Sequence, residues 1–213
     1  YLLSMLFLLL LCLTRQTFLF VWGAVIGDQI LNKAPLRKKL INVAWAVGAA
    51  LPTFMFFIIW GGLTPPSFAT KHTQGSMINI KPILFGMSII GLYSIFIPGI
   101  KSFKTLFQQK GILTLCFVLL GWIALFFFPL AQAEKDYGYL WHIVNRVPGI
   151  AGTSLLFYLL ITVGIVSLLN IWQKEGLGIW VLFLLGMMVS EVPSKLIFQR
   201  YYDSSILLAL IFF

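Results

Sequence analysis

The chain has 213 residues, of which 60% are hydrophobic and 10% charged, with a mean hydropathy of +0.98 and a net charge of +9. A soluble domain carries about 25% charged residues, and a soluble fold of this size cannot hide so much apolar surface. The composition excludes an ordinary globular domain, a disordered chain and a disulfide scaffold, and leaves a multi-pass membrane protein.

The apolar blocks are long, rich in Phe and Trp, and lack alternation, which predicts helices and not a lipid-facing barrel. The expected fold is all-α: a polytopic transmembrane helical bundle of about seven to eight membrane segments, forming one domain over 1–213. The segments are 1–13, 17–32, 40–60, 79–99, 111–131, 151–171, 177–193 and 205–213. Tyr1 opens inside one apolar run and Ile206–Phe213 closes inside another, so both outer segments read as cut and the chain as a piece of a longer protein. Only Thr14, Arg15 and Gln16 separate the first two segments. Asp28 near the far end of the second makes that segment a tilted span or a re-entrant helix. Pro35, Pro65, Pro66, Pro82, Pro98, Pro129, Pro148 and Pro193 fall at or near segment ends, where a missing N–H does least harm. Pro52 lies inside the third segment and predicts a kink there. Cys12 and Cys116 both sit in apolar runs and read as packing residues.

Loop charge sets the orientation. With 33–39 cytoplasmic, that side receives Lys33, Arg37, Lys38, Lys39, Lys101, Lys104, Lys110 and Lys174. The opposite side receives Arg15, Lys71, Lys81, Lys135, Arg146, Lys195 and Arg200. The count is 8 against 7, so context decides. Lys33–Lys39 and Lys101–Lys110 read as short basic loops without acid, whereas the opposite loops hold Glu134, Asp136, Glu191 and Asp203. Basic residues scattered in this way meet anionic lipid, and nucleic acid is not an expected partner.

Four polar groups fall on the non-cytoplasmic side. Thr14-Arg15-Gln16-Thr17 is either an interfacial turn with a snorkelling Arg or a cation facing a phosphate, for which the planar guanidinium is suited. The loop from Gly61 to Asn79 begins with a turn after Trp60 and carries Lys71 and His72. It is either a solvated connection or a cover over a substrate cavity. The stretch from Ala131 to Gly149 holds Glu134, Asp136, Tyr137, Tyr139, Trp141, His142 and Arg146. It reads as an amphipathic interfacial helix, or as aromatics and carboxylates that bind a sugar, with Asp136 and His142 as candidates. In the fourth group, Pro193 to Asp203, Arg200 and Asp203 share a helix face and can pair. The alternative there is a cation beside a lipid phosphate, with Tyr201 or Tyr202 lining the site. His72 and His142 are 70 residues apart and no ligand spacing surrounds either, so no metal site and no cofactor are identified. No nucleophile elbow, Walker loop or zincin motif is present.

The Thr14-Arg15-Gln16-Thr17 turn resembles the Arg-Gln-Thr step of the dolichyl-phosphate-glucose glucosyltransferases within the GT-C superfamily of polytopic glycosyltransferases. Trp60-Gly61-Gly62-Leu63-Thr64-Pro65-Pro66 and Phe198-Gln199-Arg200-Tyr201-Tyr202-Asp203 are similar to the later half of bacterial members. The resemblance implies an inverting transfer of a sugar from a polyprenyl-phosphate donor to a lipid-linked or protein acceptor on the extracytoplasmic face. It also implies that the principal catalytic carboxylate lies upstream of this chain. Arg15, Gln16, Arg200 and Tyr201 are the implied contacts to the donor phosphate or lipid, and Lys71, His72, Asp136 and His142 the substrate-loop candidates. The expected location is the bacterial inner membrane, with the endoplasmic reticulum membrane as the alternative. The competing readings are a transporter or flippase of lipid-linked substrates and a non-catalytic membrane subunit.

Overall fold

The computed structural model describes residues 6, 19–31, 33–61, 79–96, 103–130, 138–176, 178–192 and 199–211. They form helices α1 (Leu19–Leu31), α2 (Leu36–Trp60), α3 (Lys81–Ser94), α4 (Phe103–Phe127), α5 (Tyr139–Val144), α6 (Leu155–Glu175), α7 (Ile179–Ser190) and α8 (Arg200–Ile211). A two-residue hairpin, β1 (Gly149–Ile150) and β2 (Thr153–Ser154), precedes α6. The described chain is thus all-α but for this hairpin.

Two of these helices, α2 and α6, are long and apolar enough to cross a membrane. The sequence predicts seven to eight such segments. Among the described residues α1, α3, α7 and α8 have 13, 14, 12 and 12 residues, against about 20 for a spanning helix, and the apolar part of the 25-residue α4 is Gly111–Phe127. Segment 1–13 lies outside the described residues, apart from Leu6.

Several boundaries move. The basic stretch Lys101–Lys110 is not all loop, because α4 begins at Phe103 and takes in Lys104 and Lys110. Lys and Gln are good helix formers, and nothing between Phe103 and Lys110 breaks a helix. In the same way Arg37, Lys38 and Lys39 open α2 just after Pro35. Lys39 Nζ reaches back to the carbonyl of Ile30 at 2.9 Å, satisfying one of the last acceptors of α1. α2 runs as one helix through Pro52 and stops at Gly61, whose φ of 65° closes it in the left-handed conformation. The sixth segment starts four residues late, because residues 149–154 form the hairpin and Ser154 caps α6 by accepting from the Leu156 N–H at 3.4 Å.

The chain divides into two compact units. In the first, α1 packs on α7 and α2. Phe20 meets Phe183 edge-on at 5.0 Å, and Gly27 lies against Leu182. Phe20 also lies against Gly186, and Gly27 against Leu182, so α1 and α7 run antiparallel. On the other side Trp22 is buried with Ala46 and Ala50, and Asn42 Nδ2 donates to Gln29 Oε1 at 2.7 Å. The buried stripe of α2 is Ala46, Ala50 and Thr53, a helical i, i+4, i+7 spacing. After the basic first turn, most of the outward face of α2 is apolar, with Leu40, Trp45, Leu51, Met55 and Ile58 exposed. Only 17% of its most apolar window is buried, against 44% for α6.

The second unit is built on α6. Gly91 and Gly164 bring α3 and α6 into backbone contact: a β-carbon on either would land on the other helix's main chain. Phe85 meets Phe157 and Gly91 meets Leu160, so position advances together along α3 and α6 and the two run parallel. α4 runs antiparallel to α6. Its inward seam is Thr114, Val118, Gly121 and Leu125, with Gly121 against Ile161 and Ile165. Trp122 Nε1 at the edge of this seam donates to Thr162 Oγ1 at 3.0 Å. From Ile112 to Phe127 most side chains off that seam are exposed, and this corrects the packing role expected of Cys116, which is exposed. Cys12 lies outside the described residues.

Candidate functional site

The polar chemistry of the second unit gathers where α3 and α6 begin. Phe85 is fully buried there and organises an aromatic box. The Trp141 ring lies flat on it, with centroids 5.0 Å apart and planes 8° from parallel. Phe157 and Tyr202 meet Phe85 edge-on at 6.2 and 5.4 Å. Trp141 and Phe157 also touch, at 5.3 Å. Edge-to-face and offset pairs suit the ring quadrupoles, and each adds about 0.5–1.5 kcal/mol beyond its buried area. The box therefore pins the short helix α5 and the first turn of α8 to the α3–α6 pair.

Two polar devices complete this end. Thr153 is fully buried in β2. Its Oγ1 accepts from the Leu130 N–H at 3.1 Å and donates to the Leu125 carbonyl at 3.5 Å, tying the end of α4 to the hairpin. The hairpin turns through Ala151 and Gly152, with φ of 51° and 77°, the positive pair that a two-residue connection demands.

Gln199 is the second device. It is 4% exposed and stands just before α8. Its Oε1 accepts from the Leu140 N–H at 2.7 Å. Its Nε2 donates to Asp203 Oδ1 at 3.2 Å, one turn along α8. Leu140 lies in the first turn of α5, where a helix leaves N–H groups without intrahelical partners. The α5 N-cap is Gly138, which offers no side-chain cap. Gln199 supplies the acceptor from a distant part of the chain instead. Gly138 has a φ of 131°, and a β-carbon there would collide with Gln199, so glycine is required on both counts. Asp203 is half-buried and also hydrogen-bonded to Tyr93, which stands in the last turn of α3, two turns beyond Phe85. Its described partners are thus two neutral donors, and a carboxylate offers about four acceptor positions. The Trp141 indole N–H is buried beside this group without a hydrogen-bond partner among the described residues.

These positions differ in part from the sequence reading. α5 is amphipathic as expected: Leu140, Trp141 and Val144 are buried, while Tyr139, His142 and Ile143 face outward. Trp141, however, packs inward on Phe85 where an interfacial aromatic was expected. His142 is on the exposed face, away from the Gln199–Asp203 pair. Asp203 is paired with Gln199 and Tyr93. The expected Arg200–Asp203 pair involves an Arg200 side chain outside the described set, as is that of Tyr201; both residues occupy the first turn of α8. Arg15, Gln16, Lys71, His72 and Asp136 lie outside the described residues. Sequence reasoning missed Gln199 and Tyr93. A glutamine immediately before a cationic, aromatic helix start was the only local signal of the former, and nothing local marks the latter. Glu191 closes α7 as its C-cap and is buried.

Among the described residues no group of three or more His, Cys, Asp or Glu side chains is placed to hold a metal ion. The pieces at hand are the half-buried Asp203 carboxylate, the buried Gln199 amide and aromatic rings packed on one another. No protein-family model, no curated protein and no solved structure matches the chain.

Proposed function

We propose that the chain is part of a multi-pass membrane glycosyltransferase of GT-C type, transferring a sugar from a polyprenyl-phosphate donor to a lipid-linked or protein acceptor. The membrane is the bacterial cell membrane and the reaction face is extracytoplasmic. Embedding is supported by α2, whose outward face is largely apolar from Leu40 to Trp60, about 31 Å of helix, enough for a hydrocarbon core of about 30 Å. The parallel run of α3 and α6 and the antiparallel runs of α4 with α6 and of α1 with α7 agree with the alternation read from loop charge.

One observation carries the functional reading. The two non-cytoplasmic polar groups that the structure describes, around α5 and at the start of α8, are 59 residues apart and meet through Gln199. That contact joins the aromatic–acid segment to the Gln199-Arg200-Tyr201 segment on which the resemblance rests. In the mechanism, Arg15 and Arg200 stabilise the negative charge that grows on the lipid phosphate as the glycosidic bond breaks. A carboxylate upstream of this chain takes the proton of the attacking acceptor hydroxyl. Hydrogen-bond acceptors such as Asp203 hold sugar hydroxyls.

The test is transfer from labelled polyprenyl-phosphate sugars by membranes containing the full-length protein. Arg15→Ala and Arg200→Ala are expected to lower the rate by about 100-fold each while leaving membrane insertion intact. Unchanged rates in both variants refute their role. Rescue of Arg200→Ala by also replacing Asp203 shows a salt bridge in its place. The Asp203–Tyr93 contact favours a second reading, a transporter of lipid-linked substrates, since acids held among membrane helices mark substrate paths. Movement of the labelled lipid across vesicles without sugar transfer selects that reading.

A further inference from the structure

We propose that Gln199 is the positioning residue of the site: it locks the first turn of α8, which carries Arg200, Tyr201 and Asp203, to the amide end of α5. The inference rests on the glycosyltransferase reading for what the locked turn does, and on geometry alone for the lock. Both ends of one buried amide are used, on two elements 59 residues apart. An amide does both jobs from one side chain, because Leu140 presents a donor and Asp203 an acceptor. Losing it leaves the Leu140 N–H and one Asp203 oxygen unsatisfied together, each at a cost larger than an ordinary hydrogen bond contributes. Gly138 is shaped for the same contact, since any β-carbon there displaces Gln199. The hydrophobic contacts of the box, Trp141 and Tyr202 on Phe85, hold the two elements close. The box and the Asp203–Tyr93 bond hold the first α8 turn on α3, and the Leu140–Gln199 bond, with the Gln199 amide steadied by Asp203, is the directional tie from that turn to α5. The polar face of α8 and the outward face of α5 are thereby presented in one register to a lipid-phosphate sugar.

Substitutions in the full-length protein, reconstituted in lipid nanodiscs, separate the parts. Gln199→Met keeps length and apolar packing and removes both bonds. Gln199→Glu keeps an acceptor for Leu140 but places a carboxylate against Asp203. Gly138→Ala disturbs the same contact from the α5 side. Two readouts are taken: hydrogen exchange of the Gly138–Val144 amides, and the donor KM and kcat of sugar transfer.

For Gln199→Met and Gly138→Ala, exchange of these amides is expected to quicken about tenfold, in line with loss of one buried hydrogen bond. The donor KM is expected to rise about tenfold with kcat nearly unchanged, since the α8 turn is misplaced and not chemically altered. Gln199→Glu is expected to keep the slow exchange yet raise KM. A merely structural amide would move expression or thermal stability without splitting KM from kcat, and Gln199→Glu would then behave as wild type in KM. Unchanged exchange in Gln199→Met overturns the lock. Faster exchange with an unchanged KM overturns the positioning role. Absence of any transfer by the wild-type protein refutes the glycosyltransferase reading, and the exchange readout still decides the lock.

Discussion

Replacing Gly91 by Ala tests the account of the α3–α6 pair. The new β-carbon would overlap the Leu160 carbonyl oxygen and lie 2.9 Å from its carbon and 3.0 Å from the Gly164 nitrogen. All three are main-chain atoms inside α6, so no side chain can turn away and the helices must separate. A gap of about 1 Å forfeits about a quarter to a half of each dispersion contact across the seam, which involves Phe85, Ile89, Phe157 and Ile161. Overpacking of this kind costs about 1–3 kcal/mol, and exchanging Gly for Ala in a helix returns about 1 kcal/mol. The net expectation is destabilisation by about 0–2 kcal/mol, the difference of those two terms, so the variant should fall about 1–3 kcal/mol below a Gly→Ala change that meets no neighbour. Gly164→Ala meets the Met87 carbonyl and the Gly91 nitrogen and is expected to behave alike. The double variant is the sharper measurement. One separation relieves both clashes, so its loss should fall short of the sum by about 1 kcal/mol. Gly23→Ala has no neighbour within 4 Å and serves as the control, expected to be neutral or stabilising. The assay is equilibrium unfolding of the purified protein in mixed micelles, followed by circular dichroism. A Gly91→Ala variant as stable as Gly23→Ala, or strictly additive losses in the double variant, refutes the backbone-contact account.

Three other substitutions probe the same end of the molecule. Phe85→Ala empties the hub of the aromatic box and is expected to cost about 3–5 kcal/mol, read by the same unfolding assay and by loss of the near-ultraviolet signal of Trp141. Thr153→Val keeps the shape but orphans the Leu130 N–H, and should cost about 1–3 kcal/mol, whereas Thr153→Ser should retain most of the stability. Ala151→Gly relieves a left-handed residue in the hairpin turn and is expected to raise stability by up to about 1 kcal/mol; a loss there would contradict the turn geometry.

The parts legible in the sequence were those written in local chemistry. Pro35 and Gly61 bracket α2, and the pattern of polar breaks put a helix near each described one. The apolar character of the chain also hid things. α4 is apolar nearly all round, so nothing in its periodicity marks Thr114, Val118 and Gly121 as the inward seam or Cys116 as outward. Its start was misplaced because lysines were read as loop, although Lys and Gln favour helix. Trp141 was expected at an interface because that is where tryptophan commonly sits, and only Phe85, 56 positions earlier, explains why it turns inward. Gln199 and Tyr93 escaped for the same reason: a hydrogen bond between distant segments leaves no spacing to read. The short hairpin before α6 was hidden in a stretch whose turn residues, Ala151 and Gly152, look like any helix start.

The bond between Leu140 and Gln199 also has a consequence in time. A ribosome adds about 5–20 residues per second, so Gln199 is made about 3–12 s after Leu140, given the 59 residues between them. In the later part of that interval, once Glu175 is made, α3, α4, the hairpin and α6 have their mutual partners, while the first turn of α5 has none for its amide and the Phe85 box lacks Tyr202. α5 therefore waits open until α8 is made, and the closing of this end of the unit is an event that belongs to the synthesis of α8.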